Sequence, residues 1–442
     1  MKRIVVFITV SIFCGYVSAQ AVLQLSLEEA IDYAIKNQPT FQNYKVDREI
    51  ATSQKFEAVT RYLPKINGTF DLRDNLRLGE IALKIPNPQT GEEQQLRIQQ
   101  GTKYTGTGGF ELNQPIIDAS LMTDIKTARQ KQQLSQWQLE QAIIDLKVNV
   151  TRAYYFVLLN RERLDKAKKT VERNQKLYDD TKVRFENDAA IKSDVSRAYL
   201  NLSNSKFQHK LAEDSARTSL TNLARMIGTP LQTELVITGT FPLMVVAETL
   251  PEYPDSRQAE ENRVEMKAER TQETILRSQM RKIDYQYLPS LSGYGFIGGQ
   301  GLDNNNLFQR SSWYWNSYIG VRLNVPIFDG LNKMSLAQQQ KLALVKNRNN
   351  VENLKQQINY QLQTASVNYA NSAANLKLVQ ENLKLAEEVL KESQVRYAQS
   401  FATYQEVLDA ENTMKETEFN YLQSLYAFLM AELEWKRVNG RL

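Results

Sequence analysis

Beyond residue 19 this sequence has no cysteine: the only one in its 442 residues is Cys14. That excludes disulfides, thiolate catalysis and cysteine metal sites from the exported chain. Histidine is almost as scarce. The single one, His209, lies between Gln208 and Lys210 in a predicted helix and reads as a solvated surface residue. There is no Gly-rich phosphate loop, no nucleophile elbow and no histidine pair. The sequence therefore offers no catalytic site, no cofactor site and no metal site. Long apolar runs are missing too. After residue 20 no stretch of 18 apolar residues occurs, so no membrane-spanning helix is expected. That does not exclude a transmembrane β-barrel, whose strands alternate and carry a weaker signal. Basic clusters are also absent. The 55 Lys and Arg are interspersed with 50 Asp and Glu, unlike the basic face of a nucleic-acid binder. A hydrophobic share of 42% with a mean hydropathy of −0.48 suits long charged amphipathic helices.

Residues 1–19 have the form of a cleaved secretory signal. Lys2 and Arg3 start it, Ile4 to Phe13 is the apolar core, and Val17-Ser18-Ala19 precedes Gln20. An uncleaved anchor would need roughly 20 apolar residues. Lipid modification of Cys14 is disfavoured by Phe13 just before it.

What is present is one long unit written twice. Arg61-Tyr62-Leu63-Pro64 returns as Gln286-Tyr287-Leu288-Pro289 at an offset of 225. Asn113-Gln114-Pro115-Ile116 returns as Asn324-Val325-Pro326-Ile327 at an offset of 211. Val183-Arg184-Phe185 returns as Val395-Arg396-Tyr397 at 212. Such a period is too long for a solenoid repeat, so each copy is a composite. The copies span 20–228 and 261–442, with a proline-rich connector at 229–260 that holds the β-like Leu235-Val236-Ile237.

Each copy reads as helix, β-hairpin, very long helix, turn and returning helix. Period-2 alternation marks the hairpins, at about 64–115 and 289–326. Prolines open and close each one: Pro64 with Pro115, and Pro289 with Pro326, as helix–strand corners. The 14-residue change of offset falls in Gly79–Gly101, read as a turn-rich loop around Pro86-Asn87-Pro88-Gln89-Thr90-Gly91. Four strands of about ten residues reach across a bilayer but cannot close a barrel, so several chains must share one. Tyr62, Phe110, Tyr287, Trp313 and Trp315 near the strand ends are candidates for a membrane-interface girdle.

The long helices carry a stripe of alternating four- and three-residue steps, from Ile358, Leu362 and Ala365 to Tyr397. Shifted back by 212 it becomes Leu146, Val150 and Ala153 to Phe185. A sustained period of 3.5 is a left-handed supercoil seam. A second stripe through Val367, Leu378 and Leu385 predicts a neighbour on another side. Tip turns are placed at 187–190 and 399–402.

The order and duplication of these motifs resemble the TolC family of outer-membrane efflux channels. Leu25-Ser26-Leu27-Glu28-Glu29-Ala30, Tyr62-Leu63-Pro64, Asn113-Gln114-Pro115-Ile116, Val325-Pro326-Ile327-Phe328-Asp329-Gly330 and Val407-Leu408-Asp409-Ala410-Glu411 carry the resemblance. It implies a mainly α fold with a β-barrel sector, in a homotrimer with a 12-stranded barrel in outer-membrane lipid and a long periplasmic helical barrel. It implies a periplasmic adaptor and an inner-membrane pump, of the RND or ABC type, as partners in efflux or type I secretion. Both hairpin loops, Gly79–Gly101 and Gly299–Ser311, should face outside. At the tip, Glu406 and Asp409 occupy the family's acidic-pair positions. Their first-copy equivalents are Asp194 and Arg197. Asp188, Ala189, Ser400 and Phe401 would contact the adaptor, although Asp188 and Ser400 stand where turn glycines are usual, and Ala402 where some members carry a latching arginine.

Two other classes compete. A periplasmic adaptor with a coiled-coil hairpin would carry one hairpin flanked by small β domains, not two copies each with a β-hairpin. A secreted enzyme would need a catalytic constellation that is not there.

Overall fold

The computed structural model describes residues 22–86, 91, 93–230, 233–242 and 256–442. The signal segment with Cys14, the loop core Asn87–Thr90, and the connector's Pro251 and Pro254 lie outside the described residues. The order is β1 (Leu23–Leu25), α1 (Leu27–Asn37), α2 (Pro39–Thr60), β2 (Lys65–Asp74), β3 (Gly79–Pro86), β4 (Glu93–Gln100), β5 (Tyr104–Ile117) and α3 (Ala119–Glu186). Then come α4 (Lys192–Ile227), β6 (Leu235–Ile237), α5 (Ser256–Asn262), α6 (Val264–Tyr285), β7 (Ser290–Asp303), β8 (Trp313–Asn324), α7 (Asn332–Ala398) and α8 (Tyr404–Val438). Ser26 opens α1 with a capping box to Glu29. Pro39 sits at the first position of α2, where a missing N–H costs nothing. At 68 residues, α3 is roughly 100 Å of unbroken helix.

The chain divides into two compact units. The first comprises Met1–Lys45, Leu139–Val264 and Lys355–Leu442. Its core joins Val150, Leu158 and Leu159 of α3 to Leu422, Leu425 and Phe428 of α8, with Ile227 of α4 and Ala30 and Ala34 of α1. The seam residues Ile358, Leu362, Ala365, Val150, Ala153 and Val157 are all buried. The connector's Leu235–Ile237 is a real strand, β6, paired parallel with β1. Tyr154 holds it there: Gly239 N–H donates to the Tyr154 hydroxyl at 3.1 Å, and that hydroxyl donates to Leu25 O at 3.4 Å. Gly228 closes α4 at φ 78°, and a Cβ there would stand 2.7 Å from Asn37 O.

The second unit comprises Val46–Gln138 and Glu265–Leu354. Its sheet is antiparallel throughout, in the order β2-β5-β7-β8. The register puts Ile66, Phe70, Leu72, Phe110, Ile297, Trp315, Ile319, Val321 and Leu323 on one face. These side chains are exposed, with Trp315 at 86% and Ile319 at 87%. The other face carries Asn67, Asp71, Arg73, Glu111, Asn113, Asn316 and Arg322 around an aromatic patch of Tyr294, Phe296 and Tyr318. Among the described residues both sheet edges, β2 and β8, are unpaired.

Four expectations need correction here. Pro115 is not a corner: β5 runs on to Ile117, with a register shift between Pro115 and Ile117. β2 accompanies β5 only as far as Asn113, so Pro115 lies where β5 has lost one neighbour and needs no N–H on that side. Phe110 is mid-strand rather than terminal, paired with Gly68 and Ile297. The second loop is shorter than Gly299–Ser311, because β7 continues to Asp303. Its glycines are strand residues lying under an aromatic ring, and a Cβ on Gly301 would stand 3.0 Å from Trp313. Finally, Gly79–Gly101 is not simply a loop, since β3 and β4 pair over its length.

The remaining corners are tied by side chains. Pro64 immediately precedes β2, Pro289 precedes β7, and Pro326 follows β8. The Tyr62 hydroxyl exchanges hydrogen bonds with the Asp118 backbone at 3.2 Å. Tyr287 lies under the Lys333 ammonium, 4.7 Å from its ring centroid. Lys282 and Arg61 share Asp124 at 2.7 and 3.6 Å.

Candidate functional site

The candidate site is the tip, where α3 turns into α4 and α7 into α8. Both long helices end in the same way. Ala189 N–H donates to Arg184 O at 2.8 Å and Asp188 N–H to Phe185 O at 3.1 Å. Phe401 N–H donates to Arg396 O at 2.8 Å and Ser400 N–H to Tyr397 O at 3.0 Å. Paired bonds of this kind form a Schellman turn, in which the first of the two donor residues along the chain is left-handed. Asp188 (φ 57°) and Ser400 (φ 65°) take that conformation without being glycine. Asp188, Ala189, Ser400 and Phe401 form an exposed apex, with Phe401 73% exposed.

The returning helices start differently. Ile191 gives α4 no side-chain cap. Thr403 gives α8 a full capping box with Glu406. Glu406 Oε1 accepts from Thr403 N at 3.2 Å and from Thr403 Oγ1 at 3.1 Å. Glu406 thus completes the helix start as well as carrying charge. Asp409, one turn on, accepts from Gln405 Nε2 at 2.8 Å. Both carboxylates are exposed. Asp194 is half-buried in the first turn of α4. Among the described residues no hydrogen bond or ion pair joins it to Glu406 or Asp409.

Asp194 lies instead near Tyr404. Tyr404 is buried, and among the described residues its hydroxyl finds no partner. Burial, with Tyr397 and Asp194 nearby, pushes that phenol up to about 12. Tyr404 packs with Tyr397, Val407 and Ala198 as a small core under the apex. The Tyr397 hydroxyl meets Thr181 Oγ1 at 3.3 Å. Arg184 lies over the Tyr397 ring, 4.6 Å from its centroid, and donates to Ala398 O at 2.8 Å and Ser400 Oγ at 3.3 Å. The first copy's arginine therefore caps the second copy's helix. Its counterpart Arg396 reaches only Phe401 O, at 3.5 Å.

Sequence reasoning missed a second polar group deeper in the bundle. Glu411 and Glu418 of α8 are 4% and 5% exposed. Arg173 Nε of α3 donates to both oxygens of Glu411 at 3.1 Å. Arg173 also lies 3.7 Å from Glu418, and Lys166 lies 3.2 Å from it. Gln394 adds a 3.3 Å bond to Glu411. Burial pushes the Glu411 carboxyl up, and Arg173 opposes that. The signal was available: Val407, Glu411, Met414 and Glu418 keep steps of four and three, which places both glutamates in an apolar seam. Among the described residues no cluster of three His, Cys, Asp or Glu side chains is placed to hold a metal ion. His209 is half-buried on α4. No helix among them is long and apolar enough to cross a membrane.

With that geometry in view, the similarities to known proteins are consistent. The family model described as outer membrane efflux protein matches residues 30–229 and 256–441. The outer membrane protein TolC of Vibrio cholerae is 23% identical over 431 residues, covering 96% of this chain and 92% of that one. The alkaline protease secretion protein AprF of Pseudomonas aeruginosa is 19% identical over 419 residues, covering 94% and 83%. Among solved structures, the Campylobacter jejuni CmeC outer membrane channel superposes with a TM-score of 0.75 at 18% identity, covering 94% of this chain and 85% of that one. The open state of the Neisseria gonorrhoeae MtrE outer membrane channel gives 0.75 at 16%, covering 94% and 88%.

Proposed function

The chain belongs to the outer membrane efflux protein family, and on that premise we propose that it is a passive export conduit, three copies of which share one barrel in the outer membrane. The observation that carries this is the sheet. One face is apolar and uncovered, the other is polar, and both edges are open. Apolar-out and polar-in is the pattern of a membrane barrel. Open edges in lipid are not tolerated, and four strands cannot enclose a lumen. Three copies supply twelve strands and pair each β8 with a neighbour's β2.

The helices then form a periplasmic tunnel that a periplasmic adaptor links to an inner-membrane pump of the RND or ABC type. The named relatives include outer membrane channels and a protease secretion protein, so the cargo is left to the partner pump. Trp313 and Trp315, on the apolar face, meet the lipid interface, with Tyr62 and Tyr287 at the helix–strand corners. Asp188, Ala189, Ser400 and Phe401 meet the adaptor. At the periplasmic mouth, three copies of Glu406 and Asp409 ring the opening and attract cations, with Asp194 beside them. Outward movement of the tip helices opens it.

Replacing Glu406 by Gln and Asp409 by Asn together tests the gate. Glutamine still serves a capping box, so the helix start survives while the charges go. The expected result in planar bilayers is loss of divalent-cation block. Unchanged block in an intact trimer overturns the gate assignment. Native mass spectrometry giving only single chains overturns the shared barrel.

A further inference from the structure

The β3–β4 ribbon has no counterpart in the second copy, where a short loop joins β7 to β8. Its register gathers the large aliphatics on one face and the charges on the other, with the positions of Gln94 and Gln100 at the two ends of the aliphatic side. Ile81 pairs with Ile98 and Leu83 with Leu96, and Ile85 follows on the same side. The opposite side carries Glu80, Lys84, Gln95, Arg97 and Gln99. There Lys84 meets Glu93 at 3.3 Å and Arg97 meets Glu80 at 3.9 Å. The polar side is built for water. The five aliphatics are each 43–45% exposed, and among the described residues none belongs to a buried hydrophobic core. A lone two-stranded ribbon is marginal in water.

Where the ribbon begins decides what covers it. β2 has ten residues, which at about 3.3 Å each and a tilt of about 40° rise roughly 25 Å, the height of a barrel's apolar band. The ribbon therefore starts where hydrocarbon ends, and lipid tails do not reach its aliphatic side. Its base is fixed to the sheet: Asn75 N–H donates to Lys103 O at 2.7 Å, and Lys103 N–H donates to Asn304 Oδ1 at 2.9 Å. β2, which leads into the ribbon, is also an open edge of the sheet. Twelve strands about 4.8 Å apart with that tilt give a circumference of roughly 75 Å and a radius of roughly 12 Å. Each eight-residue strand of the ribbon spans about 26 Å, enough to reach the barrel axis.

We propose that the occupant of the Ile81–Leu83–Ile85–Leu96–Ile98 face is the same face of the other two copies, so that three ribbons pack over the outer mouth as a cap. This rests on the shared-barrel reading above. The cap gives the outer end of the conduit a constriction of its own, separate from the carboxylates at the periplasmic tip.

Residues 20–442 contain no cysteine, so with Cys14→Ser each probe is the only thiol. Leu83→Cys and Lys84→Cys are introduced separately into the full chain, oxidised in detergent and run on non-reducing gels, with native mass spectrometry in parallel. Three cysteines around one axis form one disulfide, so about two thirds of Leu83→Cys chains should run as linked dimers and about one third as monomer. Lys84→Cys, on the salt-bridged side, should stay monomeric on the gel. An intact trimer in which Leu83→Cys does not cross-link overturns the cap and leaves the shared barrel standing. Equal cross-linking of the two variants overturns the facial packing. Single chains in the mass spectrum overturn the shared barrel and the cap with it.

Discussion

α4 and α8 hold the same place in the two copies, yet α8 buries fourteen residues and α4 seven. The α8 residues meet α3 and α7 of the same chain. α4 keeps Tyr199, Leu200 and Phe207 about 60% exposed. On the opposite flank, α7 leaves the second stripe, Val367, Leu378 and Leu385, 50–60% exposed. Two similar helices thus divide the work. The second copy's return helix completes the chain's own bundle, whereas the first copy's return helix ends it with an apolar flank that suits a neighbouring copy. Duplication has produced quasi-equivalent sectors, one internal and one that would lie at a seam of the proposed trimer.

The sharpest way to break this comparison is a matched pair of truncations. Phe428→Ala removes a ring that is 1% exposed in the core and should cost about 3–5 kcal/mol. Phe207→Ala removes one that is 61% exposed. It should leave the helical thermal transition of a dissociated chain almost unmoved and lower the trimer's resistance to dissociation. If Phe207→Ala destabilises the chain as much as Phe428→Ala, the division between internal and seam helices is wrong.

Next in size is the buried ionic group, which only α8 has. Its first-copy equivalents are Tyr199 and Lys206, both exposed. Arg173→Met leaves Glu411 and Glu418 facing each other without their guanidinium. Removing one partner of a buried pair costs about 3–5 kcal/mol. The cost depends on pH. Burial holds the Glu411 pKa above its unfolded value, so the folded chain binds this proton more readily. The stability linked to it is present below the unfolded carboxylate range and is lost as pH rises through the raised value. Without Arg173 to oppose burial, that loss deepens. Arg173→Met should therefore melt much lower than the parent at about pH 7.5, with a smaller deficit at about pH 5. Equal deficits at both pH values would show that Arg173 acts through packing alone.

These effects lie in features that the sequence disclosed unevenly. The repeat, the strand alternation and the seam were legible because each rests on periodicity, which a single chain displays directly. The Thr403–Glu406 capping box went unread, although the two residues stand three apart as such a box requires. Pro115 misled because a proline's meaning depends on which neighbour strand is still present, a fact of register. Gly299–Asp303 looked like a loop because glycines there serve Trp313 across the sheet. The β3–β4 ribbon was hidden by the turn residues at its centre, although Ile81, Leu83 and Ile85 alternate as clearly as any strand here. At the tip, the acidic pair was visible, but Arg184 crossing to Ala398 and Ser400 links residues more than 200 apart, and no pattern announces it.

The smallest predicted effect separates the two tips themselves. Asp188 and Ser400 both pay for a left-handed backbone that glycine adopts freely. The gain from a glycine should be at most about 1 kcal/mol, since the unfolded chain also gains freedom. It should not be equal at the two sites. Ser400 Oγ accepts from Arg184, so Ser400→Gly gives back part of what the backbone gains. Among the described contacts the Asp188 side chain has no such bond to lose. Amide hydrogen exchange at the two turns is sensitive on this scale. Protection at Ala189 should rise clearly in Asp188→Gly, while Phe401 in Ser400→Gly should change little. Equal gains at both turns would mean that the Arg184–Ser400 bond contributes nothing to holding the second tip, and that the two tips are equivalent where their contacts say they differ.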